Sequence, residues 1–287
     1  MKSDFGLARA TFRKLHESGC FVIPNPWDIG SARYLRHLGF PALATTSSGF
    51  AFSRGRPDSA DGVPLEAMLA HIAEIAAAAD LPVNADFTNG YAHAPEGVFE
   101  NVRRCVETGA AGLSIEDSTG DAARPLYELP LAVERIRAAR ASIDASAAGV
   151  LLTARAECYL RGHPEPLGES IRRLQAYAEA GADVLYAPGP SSREDIRAIV
   201  GAVSPKPVNV LMSANTGLRV SDLAELGARR VSVGSALARA AWTGFLQAAR
   251  AIATEGSFAG FEGSVSGAEL NGFFTEDAKR DGRKNGG

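Results

Sequence analysis

Cysteine is scarce, and what there is does not pair by pattern. Cys20, Cys105 and Cys158 are the three in 287 residues, with no CxxC spacing. That argues against a disulfide-stapled scaffold and a zinc ribbon, and fits a reducing, cytoplasmic compartment. Long apolar runs are also missing. No stretch approaches the roughly 18 uninterrupted apolar residues that mark a membrane span, and residues 1–15 hold no continuous apolar segment of signal-peptide type. Neither sign of charge dominates: the formal net charge is −3, so nucleic acid and anionic membrane find no electrostatic footprint. No GxGxxG follows the first expected strand, no GxxxxGK[ST] occurs, and no GxSxG elbow supports a serine triad.

What is present is alternation. Apolar residues make up 46% of the chain, enough for a sizeable core. A helix expected over residues 7–19 precedes eight short apolar runs, at 20–25, 42–46, 82–87, 111–117, 150–155, 183–187, 207–212 and 230–234. Helical periodicity falls between and after them, clearest over 64–79, where Leu65, Met68, Leu69, Ile72 and Ile75 share one face. Strictly alternating units imply parallel strands and right-handed crossovers, and eight of them imply closure. The fold class is therefore α/β, a (β/α)8 TIM barrel. One domain is expected over 1–274, with an extra helical segment after the eighth unit. The polar, Gly-rich stretch 275–287 is expected to be disordered.

In a parallel barrel, residues just past each strand converge on one mouth. In chain order these are Asn25 and Asp28, Ser47 and Ser48, Asp86, Glu116 and Asp117, Arg155 and Glu157, and Asn209. Carboxylates clustered around one arginine are costly without a cation, and hard oxygen donors point to Mg²⁺ or Mn²⁺ rather than Zn²⁺. Arg155 either neutralises Glu116 or Asp117 as an ion pair or presents its planar fork to a substrate carboxylate. Ser47-Ser48-Gly49 is either a plain turn or an anion-binding nest of backbone N–H groups. A metal, a nest and an arginine together suit a small 2-oxo acid.

These residues sit in a set of motifs that resembles the phosphoenolpyruvate mutase/isocitrate lyase superfamily. The carriers are NPWDIGSARYLRHLGFPALATTSSGFAFSRGRPD, PVNADFTNGYA, AGLSIEDS, LLTARAE, and PVNVL followed by LGARRVSVG, spread from about Phe21 to Ala240. The resemblance implies a Mg²⁺-dependent barrel acting on 2-oxo or enol acids. It implies Asp86 as direct metal ligand, with Asp58 and Glu116 reaching the metal through water. It implies Arg155 as carboxylate clamp and Ser47, Ser48 and Gly49 as the nest beside the substrate. Two departures stand out. Thr88 replaces a second acid common in the third-strand motif, where it would hold a metal-bound water. The loop 118–129, STGDAARPLYEL, lacks the Lys-Lys-Cys-Gly-His segment of the isocitrate-type lyases and the lysine and asparagine of the phosphoryl-transferring members.

The expected activity is Mg²⁺-dependent carbon–carbon cleavage of a small 2-oxo dicarboxylate, oxaloacetate decarboxylation being the simplest case. Tyr127 or water would return the proton, and Asn209 would join the substrate contacts. The alternatives are phosphonopyruvate chemistry, a (methyl)isocitrate-type lyase, and a barrel that binds 2-oxo acids without turnover. Residues 118–130 are expected to act as a lid. Family members pack their C-terminal helices against a neighbouring subunit. With Trp242, Phe245, Phe258, Phe261, Phe273 and Phe274 in the C-terminal stretch, this implies a homo-oligomer, most simply a tetramer.

Overall fold

The computed structural model describes residues 5–59 and 62–285. They divide into two compact units, the first ending at Ala236 and the second beginning at Leu237. In the first unit, α1 (Phe5–Leu15) leads into β1 (Phe21–Ile23) and α2 (Ile29–His37). β2 (Leu43–Ala44) is followed by two helices, α3 (Ser47–Ser53) and α4 (Leu65–Ala79). Strand and helix then alternate: β3 (Val83–Asp86), α5 (Pro95–Glu107), β4 (Gly112–Glu116), α6 (Leu129–Ser146), β5 (Leu151–Arg155), α7 (Pro166–Glu179). The unit continues with β6 (Val184–Tyr186), α8 (Arg193–Val203), β7 (Val208–Leu211), α9 (Val220–Glu225) and β8 (Arg230–Ser232). All eight strands run parallel in sequential order from β2 to β8, and β8 pairs back onto β1.

The seam between β1 and β2 is closed by few bonds. The Ala44 N–H donates to the Pro24 carbonyl at 3.0 Å. Asn25 staples the same seam: its amide donates to the Thr45 carbonyl at 2.9 Å, and its Oδ1 accepts from the N–H groups of Val233 and Gly234. Asn25 is thus a joint between three strand ends. Asp28, also expected at the mouth, is the N-cap of α2, in a reciprocal capping box with Ser31.

The barrel interior is polar where most such barrels stack branched apolar residues. Arg230, fully buried, donates to Asn209 Oδ1 at 2.8 Å and Thr153 Oγ1 at 3.2 Å, and approaches Asn84 Oδ1 at 3.5 Å. Helix α1 plugs this end, with Phe12 packed on Phe21, Ile23, Ala111 and Leu151. His16 donates from Nδ1 to the Phe12 carbonyl at 2.8 Å, which leaves Nε2 to face Arg230 Nη1 at 3.5 Å. Burial lowers the Arg230 guanidinium to about 10.

The second unit takes in α10 (Ala236–Glu255) from Leu237 onward, a 3-10 turn at Ala259–Phe261, and α11 (Gly267–Asn285). Helix α11 covers 275–285, where disorder was expected; Gly286 and Gly287 lie outside the described residues. That stretch is rich in Glu, Asp, Ala, Lys and Arg, mostly good helix formers, and Lys279 bridges Glu276 at i,i+3. Trp242, Phe245, Phe258 and Phe261 are exposed. No helix among the described residues is long and apolar enough to cross a membrane.

Two buried histidines make the fold acid-sensitive. Burial, reinforced by Arg230, lowers His16 to about 3, and burial lowers His71 to about 4, both from 6.5. The native imidazoles stay neutral while the unfolded ones take up protons below about 6.5, so stability is full above that pH and is lost as pH falls. Each contributes a slope of about 1.4 kcal/mol per pH unit in that window. His71 stacks on Phe50 with ring centroids 3.8 Å apart, and its Nε2 is buried without a partner. His71→Phe keeps the stack and removes the titration. Urea unfolding between pH 7 and pH 5 should show a shallower loss of stability than the wild type; equal slopes would show that His71 is not held neutral.

Candidate active site

The strand register assembles the site. Asp86 pairs with Ser114, Glu116 with Arg155, and Arg155 with Tyr186, so the charged residues end three adjacent strands, β3 to β5. Alternation along a strand decides which carboxylates face inward. Glu116 faces the mouth. Its neighbour Asp117 turns outward and is 4% exposed, accepting from the Glu157 N–H at 2.8 Å, Arg173 at 2.9 Å and the Tyr177 hydroxyl at 2.6 Å. Asp117 is therefore a structural anchor for α7.

Arg155 is the centre of the inward set. Its Nε bonds Glu157, and Nη1 lies 3.4 Å from Asp86 and 3.3 Å from Glu116. Its guanidinium also sits over the Tyr186 ring, 5.3 Å from the centroid. Burial works against the arginine's charge, but Glu157, Glu116 and Asp86 overcome it and hold it firmly protonated. Burial raises Glu116 well above the usual carboxylate range; Glu157 and Asp86 add to that, against Arg155 and Arg161. Asp58, on the exposed loop after α3, lines the same cavity. Partial burial and the charge of Asp86 raise it, while the Ser48 hydroxyl hydrogen-bonds it.

The cavity bounded by Asp58, Thr88, Glu116, Arg155, Glu157 and Arg161 has a volume of about 410 Å³. Arg161, 4.0 Å from Glu116, is a second cation that strand patterning does not reveal, because it stands in the β5–α7 loop. Asp58, Glu116 and Glu157 line this cavity, while Asp86 meets Arg155 from the side of the barrel interior, so four carboxylates stand around two arginines. With all of them ionised, the excess is two negative charges, the charge of one divalent cation. Among the described residues no three carboxylate, imidazole or thiolate groups stand close enough to enclose an ion directly. Carboxylate and hydroxyl oxygens are hard donors, of the kind that suits a hydrated divalent cation.

Other expected residues have more specific places. Ser47-Ser48-Gly49 forms the first turn of α3, capped by Thr46. The Ser47 N–H and hydroxyl both donate to Asp86 Oδ2, at 2.9 and 2.8 Å, and the Gly49 N–H donates to Thr46 Oγ1. Two N–H groups of the expected nest thus serve the protein itself, and Ser47 orients Asp86. Asn209 lies inside the barrel, bridging Arg230 and Ser232. Tyr127 does not line the carboxylate cavity; its hydroxyl meets His93 Nδ1 at 2.5 Å in a neighbouring one. Thr88 lines the site with a buried hydroxyl that has no well-formed hydrogen bond. Thr88 and Tyr91 both have positive φ, 46° and 55°, a costly conformation for side chains of this size and one that clusters at functional sites. The loop 118–129 is not loose: Ser118 bridges Leu126, and Thr119 bonds the Pro125 carbonyl at 3.0 Å.

A family model described as phosphoenolpyruvate phosphomutase matches residues 12–253. The chain belongs to this family. It is 31% identical over 229 residues to an oxaloacetate decarboxylase of Paraburkholderia xenovorans (strain LB400), covering 77% of this chain and 73% of that protein. The solved structure of a candidate lyase/mutase from Burkholderia cenocepacia J2315 is similar with a TM-score of 0.90 and 48% identity, over 94% of this chain and 97% of that one. An oxaloacetate acetylhydrolase solved with its product oxalate is similar with a TM-score of 0.84 and 26% identity, over 100% of both chains. Against the family motif, Asp86 stands alone where a second acid is common two residues on, at Thr88. Glu157 and Arg161, both in the loop after β5, supply charge to the adjoining cavity.

Proposed function

We propose that this enzyme is a divalent-cation-dependent carbon–carbon lyase that decarboxylates a 2-oxo dicarboxylate of the oxaloacetate type. The observation that carries the reading is the cluster of Asp86, Glu116 and Glu157 around Arg155, beside a cavity of about 410 Å³ with room for a small acid. Asp86 would hold Mg²⁺ or Mn²⁺ directly, with Asp58, Glu116 and the Thr88 hydroxyl reaching it through water. When bound, such a cation withdraws electrons from the 2-oxo group and stabilises developing negative charge.

The chain's own residues do the rest. Ser47 fixes the rotamer of Asp86 through two hydrogen bonds, so the ligand is oriented before substrate arrives. Arg155 hydrogen-bonds Glu157 through Nε and Asp86 through Nη1, which leaves Nη2 to hold a substrate carboxylate. Decarboxylation breaks the C3–C4 bond; the electron pair moves into the C2–C3 enolate and CO₂ leaves without a general acid. A proton then adds at C3 to give pyruvate. Water supplies it. The 118–130 loop, pinned by the Ser118–Leu126 bridge, would shield the site from bulk solvent.

The exposed aromatics of α10 and the turn after it support a second part of the reading, that the C-terminal unit buries its apolar surface in a homo-oligomer, most simply a tetramer. Light scattering at micromolar concentration should give a mass well above the 30.0 kDa chain; a monomer would refute the assembly.

Pyruvate release from oxaloacetate tests the chemistry. Wild type should turn over only with Mg²⁺ or Mn²⁺. Asp86→Ala should lose metal-dependent turnover by at least a hundredfold. Arg155→Lys should keep the metal response but raise KM, because a single ammonium cannot hold Glu157 and Asp86 and also reach the substrate carboxylate. Full activity in Asp86→Ala would refute the metal assignment, and oxalate plus acetate as products would reassign the reaction to hydrolysis.

A further inference from the structure

A second cavity, larger than the first, adjoins the carboxylate site. It measures about 640 Å³, and Asn89 and Gly120 line both. Its walls differ in chemistry: Tyr91, Ala92, Leu126, Leu131 and the ring of Tyr127 offer carbon, while the exposed Asp121, Arg124 and Glu128 also line it. The floor is fixed. The Tyr127 hydroxyl is bonded to His93, and the ring lies over the Arg135 guanidinium, 4.1 Å from its centroid. Arg135 is 1% exposed and donates to the carbonyls of Asn89, Ala92 and His93. A buried arginine bonded to three carbonyls of one loop holds that loop in shape, together with the left-handed residues Thr88 and Tyr91. The pocket is therefore preformed rather than a gap between mobile loops.

Unsubstituted oxaloacetate has no atoms for it. Its four carbons, two of them carboxylates, fit within the first cavity, where the charged groups are. We infer that the second cavity is a substrate subsite that takes a largely apolar substituent on C3, so that the preferred substrates are 3-alkylated 2-oxo dicarboxylates. This rests on the reading of the first cavity as a 2-oxo dicarboxylate centre. The chemistry is unchanged in balance: the C3–C4 bond breaks, its electron pair forms the enolate, CO₂ leaves, and a proton adds at C3 to yield the chain-extended 2-oxo acid. A preformed apolar pocket of this size is typical of small-molecule sites, and each methylene it buries should tighten binding by about fourfold.

Oxamate and N-butyl oxamate test this without turnover, since the oxamate nitrogen stands in for C3 of the planar enolate. Calorimetric titration of the full-length protein with Mg²⁺ present should give a Kd for N-butyl oxamate at least tenfold below that for oxamate. Filling the pocket by Leu131→Trp, or independently by Leu126→Trp, should bring the ratio to within about threefold of one. Equal affinities in the wild type, or a full preference retained in both variants, would overturn the subsite while leaving the parent reading intact. Binding of neither compound would refute the parent reading, and the subsite with it.

Discussion

A guanidinium buried among more carboxylates than it can neutralise is the constraint on which the rest of this structure turns. Arg155 ends β5 with Glu157, Glu116 and Asp86 around it. Placing charges at low dielectric costs several kcal/mol per ion, and only close pairing and hydrogen bonds offset it. The surroundings supply both. Ser47 reaches across from α3 to bond Asp86, the Asp117 carboxylate accepts from the Glu157 backbone, and Arg173 with Tyr177 satisfies Asp117. Helices α3 and α7 are thereby tied to the chemistry at the strand ends. What remains is a group of carboxylates whose ionisation burial opposes, and a divalent cation binding there would hold them ionised and draw in an anionic substrate.

The opposite end of the barrel answers a different requirement. Arg230 lies buried among neutral groups, Asn209, Thr153, Asn84 and a neutral His16, and α1 closes that end over it. Its donors are spread over several strands, so it holds the barrel's interior faces in register where apolar layers would otherwise do so. Asn25 plays a related part at the seam, joining β1, β2 and β8 where backbone pairing is sparse. A rigid base and a closed seam keep the strand ends at the mouth where Asp86, Glu116 and Arg155 need them.

Much of this was legible in the chain. The eight strand–helix units, the inward Glu116, the cationic end of β5 and the solitary Asp86 all follow from apolar runs that end in charge. The polar interior was legible too, in the period-two alternation of VNAD, LSIE, LTAR and RVS, but a reading that treats barrel strands as apolar runs passes over it. Other features could not be seen locally. Asp117 sits beside Glu116 in sequence, yet its partners lie on α7. Ser47 read as a turn because helix α3 is only seven residues long. Arg161 and His93 stand in loops, where no periodicity marks them, and the fold alone brings His93 to Tyr127. The polar tail is helical because good helix formers outweigh its low hydrophobicity.

Coupled binding follows directly from the charge excess. If a cation at Asp86 offsets the carboxylate charge that would otherwise repel an acid at Arg155, cation and acid must strengthen each other by the same factor. Calorimetric titration of the wild-type protein with Mg²⁺, alone and with saturating oxalate, measures that factor. The charge arrangement predicts that oxalate tightens Mg²⁺ by at least tenfold, and that Mg²⁺ tightens oxalate equally. Independent binding of the two, or oxalate binding that Mg²⁺ leaves unchanged, would contradict it.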